Sequence, residues 1–169
     1  MNNQTPELIH QVFTLLEVEN FFALSRAYTR EDQKLMKSGE WDPQNPALIT
    51  NRVKKFLEQI DPNDLSENDR SWYFEVLWFW YHHATSCTSW ITNRPLAQAY
   101  ATKALALQEK CQPEGFGQPN RITRLLWLIV HDRVDEAREW MAQKPVGADE
   151  VEHKNGLELI EEYEQRKAK

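Results

Sequence analysis

The sequence predicts an all-α fold of roughly eight helices that pair as antiparallel hairpins. Apolar residues recur at helical spacing in eight segments, and no segment shows the strict alternation of apolar and polar residues expected of a half-buried strand. The chain has only 5 glycines among its 169 residues, which disfavours an all-β fold rich in turns. A chain of this length usually forms one domain, so residues 1–169 are expected to fold as a single unit.

The first three predicted helices precede residue 62. The first begins "TPELIHQVFTLLE", with Thr5 as its N-cap and Pro6 at the first helical position. The second, "ENFFALSRAYTREDQKLMKSG", is expected to end at Gly39. After the break "WDPQNP", the third helix reads "PALITNRVKKFLEQID" and ends before Pro62. The side chains predicted to face inward on this third helix are Ile49, Val53, Phe56, Leu57 and Ile60.

The fourth predicted helix contains the aromatic stretch "SWYFEVLWFWYHHATSCTSW", residues 71–90. Ser66, with Asp69 three residues later, resembles a capping pair, so the helix is expected to begin at Ser66 or Asn68. A helix that is apolar nearly all round is buried from several sides, so residues 72–81 are predicted to be core. An exposed aromatic platform or a membrane contact is the alternative. The narrow polar stripe of this helix consists of Ser71, Glu75, His82 and Ser86.

Four further helices complete the prediction. The fifth, "NRPLAQAYATKALALQEKC", has Asn93 as its cap and Pro95 near its first turn. The loop "QPEGFGQP" separates it from the sixth, "NRITRLLWLIVHD", and the seventh, "VDEAREWMAQK", follows at once. Pro145 and Gly147 then break the pattern. The last helix, "ADEVEHKNGLELIEEYEQRKAK", is expected to be weakened at Gly156.

Two segments resemble parts of the tetratricopeptide-repeat family. The stretch "LLWLIVHDRVDEAREWMAQKP" resembles the turn between the two helices of a repeat, with Ala137 as the small residue that lets them approach. The stretch "PLAQAYATKALALQ" resembles a second repeat helix, and its Ala97, Ala101 and Ala104 share one face. The resemblance covers residues 70–145, with departures such as leucine at position 125 and the long link "TSCTSWITNRP". It implies stacked hairpins, forming a short α-solenoid or a compact helical bundle.

Composition narrows the classes of partner and the location. The formal net charge is −6 and the pI is near 5.4, which disfavours binding to nucleic acid or to an anionic membrane. The longest apolar run, "VLWFWY", is far shorter than the ~20 residues that span a bilayer. The start "MNNQTPELIH" lacks the features of a secretory signal, and the two cysteines, Cys87 and Cys111, suit a reducing compartment. A cytoplasmic protein is therefore expected, with its oligomeric state left open.

Residues with catalytic or metal-binding chemistry are sparse. His83 and Cys87 lie one helical turn apart and could supply two zinc ligands, but no third and fourth ligand follow at a recognisable spacing. We therefore expect His83 to be packed in the core, and neither metal nor cofactor to be bound. The sequence has no phosphate-binding loop and no nucleophile–base set, which disfavours an enzyme.

The charge pattern supplies the candidate functional surface. Arg124 and His131 form the polar stripe of an otherwise apolar helix, and Trp127 beside them could anchor a partner. An ordinary solvated face is the alternative interpretation. The candidate partner-binding residues are Arg121, Arg124, Trp127 and His131, with Glu75 and His82 expected alongside. The sequence thus favours a non-catalytic protein–protein interaction module, such as an adaptor, a regulator or a small chaperone. An inhibitor, such as an immunity protein that neutralises a toxin, is the second hypothesis, and an uncharacterised helical enzyme is the third.

Overall fold

The described part of the chain is helical. A computed structural model describes residues 34–35, 38, 40–110, 121–144 and 150–169, and among these residues there is no strand. The elements are α1 (Ile49–Leu57), a 3₁₀ turn (Pro62–Asp64), α2 (Glu67–Cys87), α3 (Arg94–Lys110), α4 (Arg121–Val130), α5 (Val134–Ala142) and α6 (Glu150–Lys167). The prediction of an all-α fold is confirmed for this part of the chain.

Several predicted features lie outside the described residues. These are the first predicted helix, most of the second, the loop at 112–119 and the break at Pro145 and Gly147. The side chains of Ile49, Asn68 and Trp72 also lie outside the described part. The total of eight helices therefore stays a prediction.

The chain divides into two compact units, Met1–Trp80 and Tyr81–Lys169, and the boundary falls within α2. Each unit has buried apolar residues of its own. That residues 1–169 form a single domain also stays a prediction.

Two tryptophans organise the described core of the first unit. Trp80 is 2% exposed, and the ring of Trp41 meets it edge-on at a centroid distance of 5.9 Å. The indole N–H of Trp80 donates to Asn51 Oδ1 at 2.8 Å, and that of Trp41 donates to Thr50 Oγ1 at 3.1 Å. A buried indole N–H needs an acceptor, which explains why α1 buries these two polar side chains.

The start and the buried face of α2 follow its sequence closely. The backbone N–H of Asp69 donates to Ser66 Oγ at 3.2 Å, so the predicted cap is confirmed, and the helix begins at Glu67. Among the described side chains of residues 73–81, Tyr73, Leu77, Trp80 and Tyr81 are buried. Trp78 and Phe79 are only half-buried and Glu75 is exposed, so the predicted core is narrower than the aromatic pattern indicates.

The second unit is built around α4. This helix packs against α3, α5 and α6, and α5 also packs against α6. The predicted small face of α3 is confirmed, since Ala97, Ala101 and Ala104 are all buried. Ala137 on α5 is buried as well. Small residues let helix backbones approach closely, so these four alanines bring α3 and α5 against the apolar side chains of α4. The largest of those, all buried, are Leu125, Leu126, Leu128 and Ile129.

Gly156 lies at a close approach between helices. The helix α6 runs unbroken through this residue. A Cβ atom at position 156 would lie 2.4 Å from Met141 Cε and 3.1 Å from Leu125 Cδ2. The low helix propensity of glycine is therefore offset by the packing of α6 against α4 and α5 that it permits.

The link between α4 and α5 is a tight turn. Asp132 has a left-handed backbone with a φ of 59°, and its N–H donates to Ile129 O while the N–H of Arg133 donates to Leu128 O. These two hydrogen bonds are those of a Schellman C-cap, in which the left-handed position is most often glycine. The side chain of Gln98, from α3, donates to the carbonyl of Val130 at 2.9 Å and so satisfies another carbonyl at this helix end.

Candidate partner-binding surface

A single edge of α4 reaches solvent. Arg124 is exposed, and Trp127 and the following His131 are half-buried, whereas nearly all other residues of the helix are buried. These three residues are spaced by three and four positions, so they lie along one face. The structure therefore brings together the polar stripe that the sequence predicts.

Trp140 of α5 organises the N-terminal end of this edge. The guanidinium carbons of Arg121 and Arg124 each lie 5.1 Å from the centroid of the Trp140 ring. The indole N–H of Trp140 donates to Arg121 O at 3.0 Å, and Arg121 Nη2 donates back to Trp140 O. Sequence reasoning did not select Trp140. The signal available was its position beside the inward-facing Ala137 and Met141, which places it at the edge of the buried face of α5.

Arg121 is not an open surface residue. It is only 8% exposed, and its backbone N–H donates to Glu152 Oε1 of α6 at 3.1 Å. Its Nη1 atom is fully buried and has no hydrogen-bond partner among the residues that the structure describes. The physical reason is that Arg121 is the first residue of α4, where α5 and α6 cover the helix start.

The ring of Trp127 is held in place by neighbours on three sides. The imidazole of His131 stacks on it with a centroid distance of 4.2 Å, and His131 Nδ1 lies 2.7 Å from Trp127 O. The guanidinium carbon of Arg133 lies 5.1 Å from the ring centroid. The indole N–H donates to Thr102 Oγ1 of α3 at 3.2 Å. Trp127 is thus fixed in orientation, and it remains half-exposed.

Glu75 and His82 occupy different surroundings. Glu75 is exposed in the first unit, whereas His82 belongs to the second. His82 Nδ1 lies 3.0 Å from the hydroxyl oxygen of Thr123, a residue on the buried side of α4. Burial, and to a lesser degree the neighbouring His83, lowers the pKa of His82 to about 3. His82 is therefore neutral near pH 7, and it joins α2 to the buried side of α4 rather than to its exposed edge.

Among the described residues, no further metal-ligating side chains join His83 and Cys87. Burial lowers the pKa of His83 to about 4, and Cys87 is exposed. In residues 40–110, 121–144 and 150–169, no three histidine, cysteine, aspartate or glutamate side chains converge as a metal site would require. Cys111 lies outside the described part.

None of the described helices combines the length and the apolar character needed to cross a membrane.

A second polar cluster surrounds the turn between α4 and α5. Arg94 Nη2 donates to the hydroxyl oxygen of Tyr163 at 2.9 Å, and that hydroxyl donates to Asp132 Oδ1 at 3.0 Å. Lys167 Nζ lies 2.6 and 2.7 Å from the two carboxylate oxygens of Asp132. The hydrogen bonds from Lys167 and Tyr163 lower the pKa of the Asp132 carboxyl group. An open depression of about 490 Å³ lies beside this cluster. Sequence reasoning did not find the cluster, because its members are up to 73 positions apart in the chain.

Comparison of the chain with protein-family models, with curated proteins and with solved structures gave no match. The functional argument below therefore depends on the geometry of the described residues.

Proposed function

We propose that this chain is a non-catalytic protein-binding module, and that the exposed edge of α4 takes an acidic segment of another protein. The observation that carries the proposal is the state of Arg124. Among the described residues of the second unit, Arg133 and Arg138 each form a salt bridge with a glutamate. Arg124 forms none there, and Glu136, whose pKa is lowered by Arg133 and to a lesser degree by Arg124, is already paired with Arg133. The Arg124 guanidinium is exposed and lies over the Trp140 ring.

An arginine held over an indole ring is well prepared for binding a carboxylate. The aromatic face restricts the side chain without using its N–H groups, so less conformational entropy is lost when a ligand binds. A guanidinium can donate two parallel hydrogen bonds to one carboxylate. Trp127, three residues further along the same edge, provides apolar contact area next to this charge. The combination suits a segment with acidic and apolar residues, of the kind found in adaptor, regulator or small-chaperone complexes.

The finer architecture also belongs to this proposal. We infer a tetratricopeptide-like stack in which α3 is the second helix of one hairpin and α4 with α5 forms the next. The buried alanines of α3, the buried Ala137 and the short link at Asp132 support this arrangement. A cytoplasmic location is proposed on the sequence features alone.

Selection of peptides from a random library of 12-residue sequences tests the function. Arg124→Gln and Arg138→Gln each remove one exposed positive charge from the same unit, so they form a matched pair. We expect the native chain and the Arg138→Gln variant to select peptides enriched in aspartate and glutamate. Loss of a charge-assisted hydrogen bond is worth about 1.5–3 kcal/mol, so Arg124→Gln should weaken the selected peptides about tenfold or more.

The salt dependence and the composition of the selected peptides decide the outcome. Binding should weaken as salt is raised, because exposed charges are screened over about 8 Å at physiological ionic strength. Selected peptides without an acidic bias, or equal binding by the two variants, would place the interface elsewhere. Capture of one stoichiometric partner with a basic surface, bound independently of Arg124, would instead indicate the inhibitor class.

A further inference from the structure

We propose that the acidic group recognised beside Trp140 is a phosphoryl group carried by the partner peptide, bound by Arg121 and Arg124 together. This inference deepens the proposed function, since it names the chemistry of the ligand at the same edge of α4. It depends on three features of the structure: the burial of Arg121, its unsatisfied Nη1, and the position of both guanidinium groups over one ring.

The first feature is a buried positive charge whose side chain forms no salt bridge with the residues that the structure describes. A guanidinium remains protonated at any physiological pH, and burial of a charge is unfavourable unless it is paired. Within the described part of the chain, the side chain of Arg121 donates to the Trp140 carbonyl and lies over the Trp140 ring. The nearby Glu152 carboxylate accepts a hydrogen bond from the backbone N–H of Arg121. Among the described residues, no salt bridge balances the positive charge of the Arg121 guanidinium, so a negatively charged ligand would be favoured there.

The second feature is the orphaned donor. Arg121 is more than nine-tenths buried, and its Nη1 is a buried donor without an acceptor. Such atoms are rare in folded proteins because water or a ligand normally satisfies them. Nη1 is covered in the free chain, so a ligand reaches it only after a small side-chain movement. Arg124, which is exposed and three positions away on the same helix, lies over the same Trp140 ring.

The third feature is the position of the two guanidinium groups around one ring. Each guanidinium carbon lies 5.1 Å from the same ring centroid, so the two carbons are at most 10.2 Å apart, twice that distance. A carboxylate has two oxygens and is satisfied by one guanidinium. A phosphoryl group has three acceptor oxygens and carries a charge of about −1.5 to −2 at pH 7, so it can accept from both arginines at once. Two positive charges beside one ring therefore favour the phosphoryl group over a single carboxylate.

Three peptide pools of identical degenerate flanks, with a fixed central phosphoserine, glutamate or serine, provide the test. Each pool is bound to the full chain at pH 7.5, and inorganic phosphate is titrated as a separate probe. We expect the phosphoserine pool to bind about tenfold or more tightly than the glutamate pool, since a charge-assisted hydrogen bond is worth that much. The preference should diminish below about pH 6, where the phosphoryl group loses its second charge.

Variants separate recognition of the phosphoryl group from general attraction of acidic peptides. Arg124→Gln should abolish the preference, and Arg138→Gln should keep it. Arg121→Lys keeps the buried charge but loses the forked donors, so it should reduce the preference while the glutamate pool binds as before. If this buried replacement unfolds the chain, the NMR resonance of the Arg121 Nε–H group in the native chain serves as the measurement instead. That signal should shift on addition of the phosphoserine pool and remain in place with the glutamate pool.

Each outcome bears on the proposal. Equal binding of the phosphoserine and glutamate pools, with both dependent on Arg124, would overturn it and leave the acidic-peptide function intact. A phosphoserine preference that survives in Arg124→Gln would also overturn it. Inorganic phosphate that binds as tightly as the phosphoserine pool would make free phosphate the ligand and overturn the peptide-borne assignment. Failure of all three pools to bind would overturn both this inference and the proposed function.

Discussion

The replacement Gly156→Ala tests whether the close approach of α6 to α4 and α5 depends on the missing side chain. In an open helix interior this change stabilises a protein by about 1 kcal/mol, because alanine has the higher helix propensity. In this chain the added Cβ would lie 2.4 Å from Met141 Cε, 3.0 Å from its Sδ and 3.1 Å from Leu125 Cδ2. The first distance is far below van der Waals contact, so a neighbouring side chain must move.

The magnitude follows from how freely Met141 can move. Its side chain is flexible, but it is 1% exposed and surrounded by packed residues. Overpacking of a core typically costs about 1–3 kcal/mol. Set against the gain in propensity, Gly156→Ala should lower the free energy of unfolding by about 0–2 kcal/mol. In a Met141→Ala background the two closest contacts disappear, so the same change should instead stabilise by up to about 1 kcal/mol.

Urea unfolding of the four proteins in this double-mutant cycle measures the coupling. We expect a coupling free energy of about 1–3 kcal/mol between positions 156 and 141. Asn155→Ala is the matched control, since Asn155 is the exposed neighbour on the same helix. Its effect should be equal in both backgrounds within about 0.5 kcal/mol. A gain from Gly156→Ala of similar size in both backgrounds would show that the glycine is not needed for packing and would refute the reasoning.

Three further predictions concern single positions. Trp80→Ala should cost about 3–5 kcal/mol in urea unfolding, because it opens a cavity and leaves Asn51 Oδ1 without its donor; a loss below about 0.5 kcal/mol, usual for surface sites, would show that Trp80 is not core. The pKa of His82 is about 3 in the folded chain and about 6.5 in the unfolded chain, so the unfolded chain binds the proton more tightly. The free energy of unfolding should therefore fall as the pH is lowered from 6.5 towards 3. His82→Gln should reduce that slope by about 1.4 kcal/mol per pH unit, and an unchanged slope would contradict the assignment. Asp132→Ala and Asp132→Gly both remove the carboxylate, so any difference between them reports the left-handed backbone at this position. The Asp132→Ala variant should be less stable than the Asp132→Gly variant by about 1–2 kcal/mol. Equal stability of the two variants would mean that the turn changes its conformation.

The local features of the chain were well predicted from the sequence, because they depend on residues that are neighbours along it. The Ser66 cap, the inward alanines of α3 and the exposed edge at Arg124 all follow from spacing along one helix. The aromatic stretch of α2 was less informative. Aromatic residues surround that helix almost completely, so periodicity alone did not distinguish the buried Trp80 from the half-buried Trp78.

The candidate site depended on pairings between helices. Sequence alone selected Arg121, Arg124, Trp127 and His131 as one stripe, and it determined helix type, helix order and the side of α4 left to solvent. Only the packing of α5 and α6 decided that Arg121 is buried and that both guanidinium groups lie over the Trp140 ring. The same packing decided that the side chain of Met141 lies against Gly156. The physical reason is that helical periodicity specifies which face of a helix is apolar, whereas the neighbours of that face are set by the close fit of side chains that lie far apart in the chain.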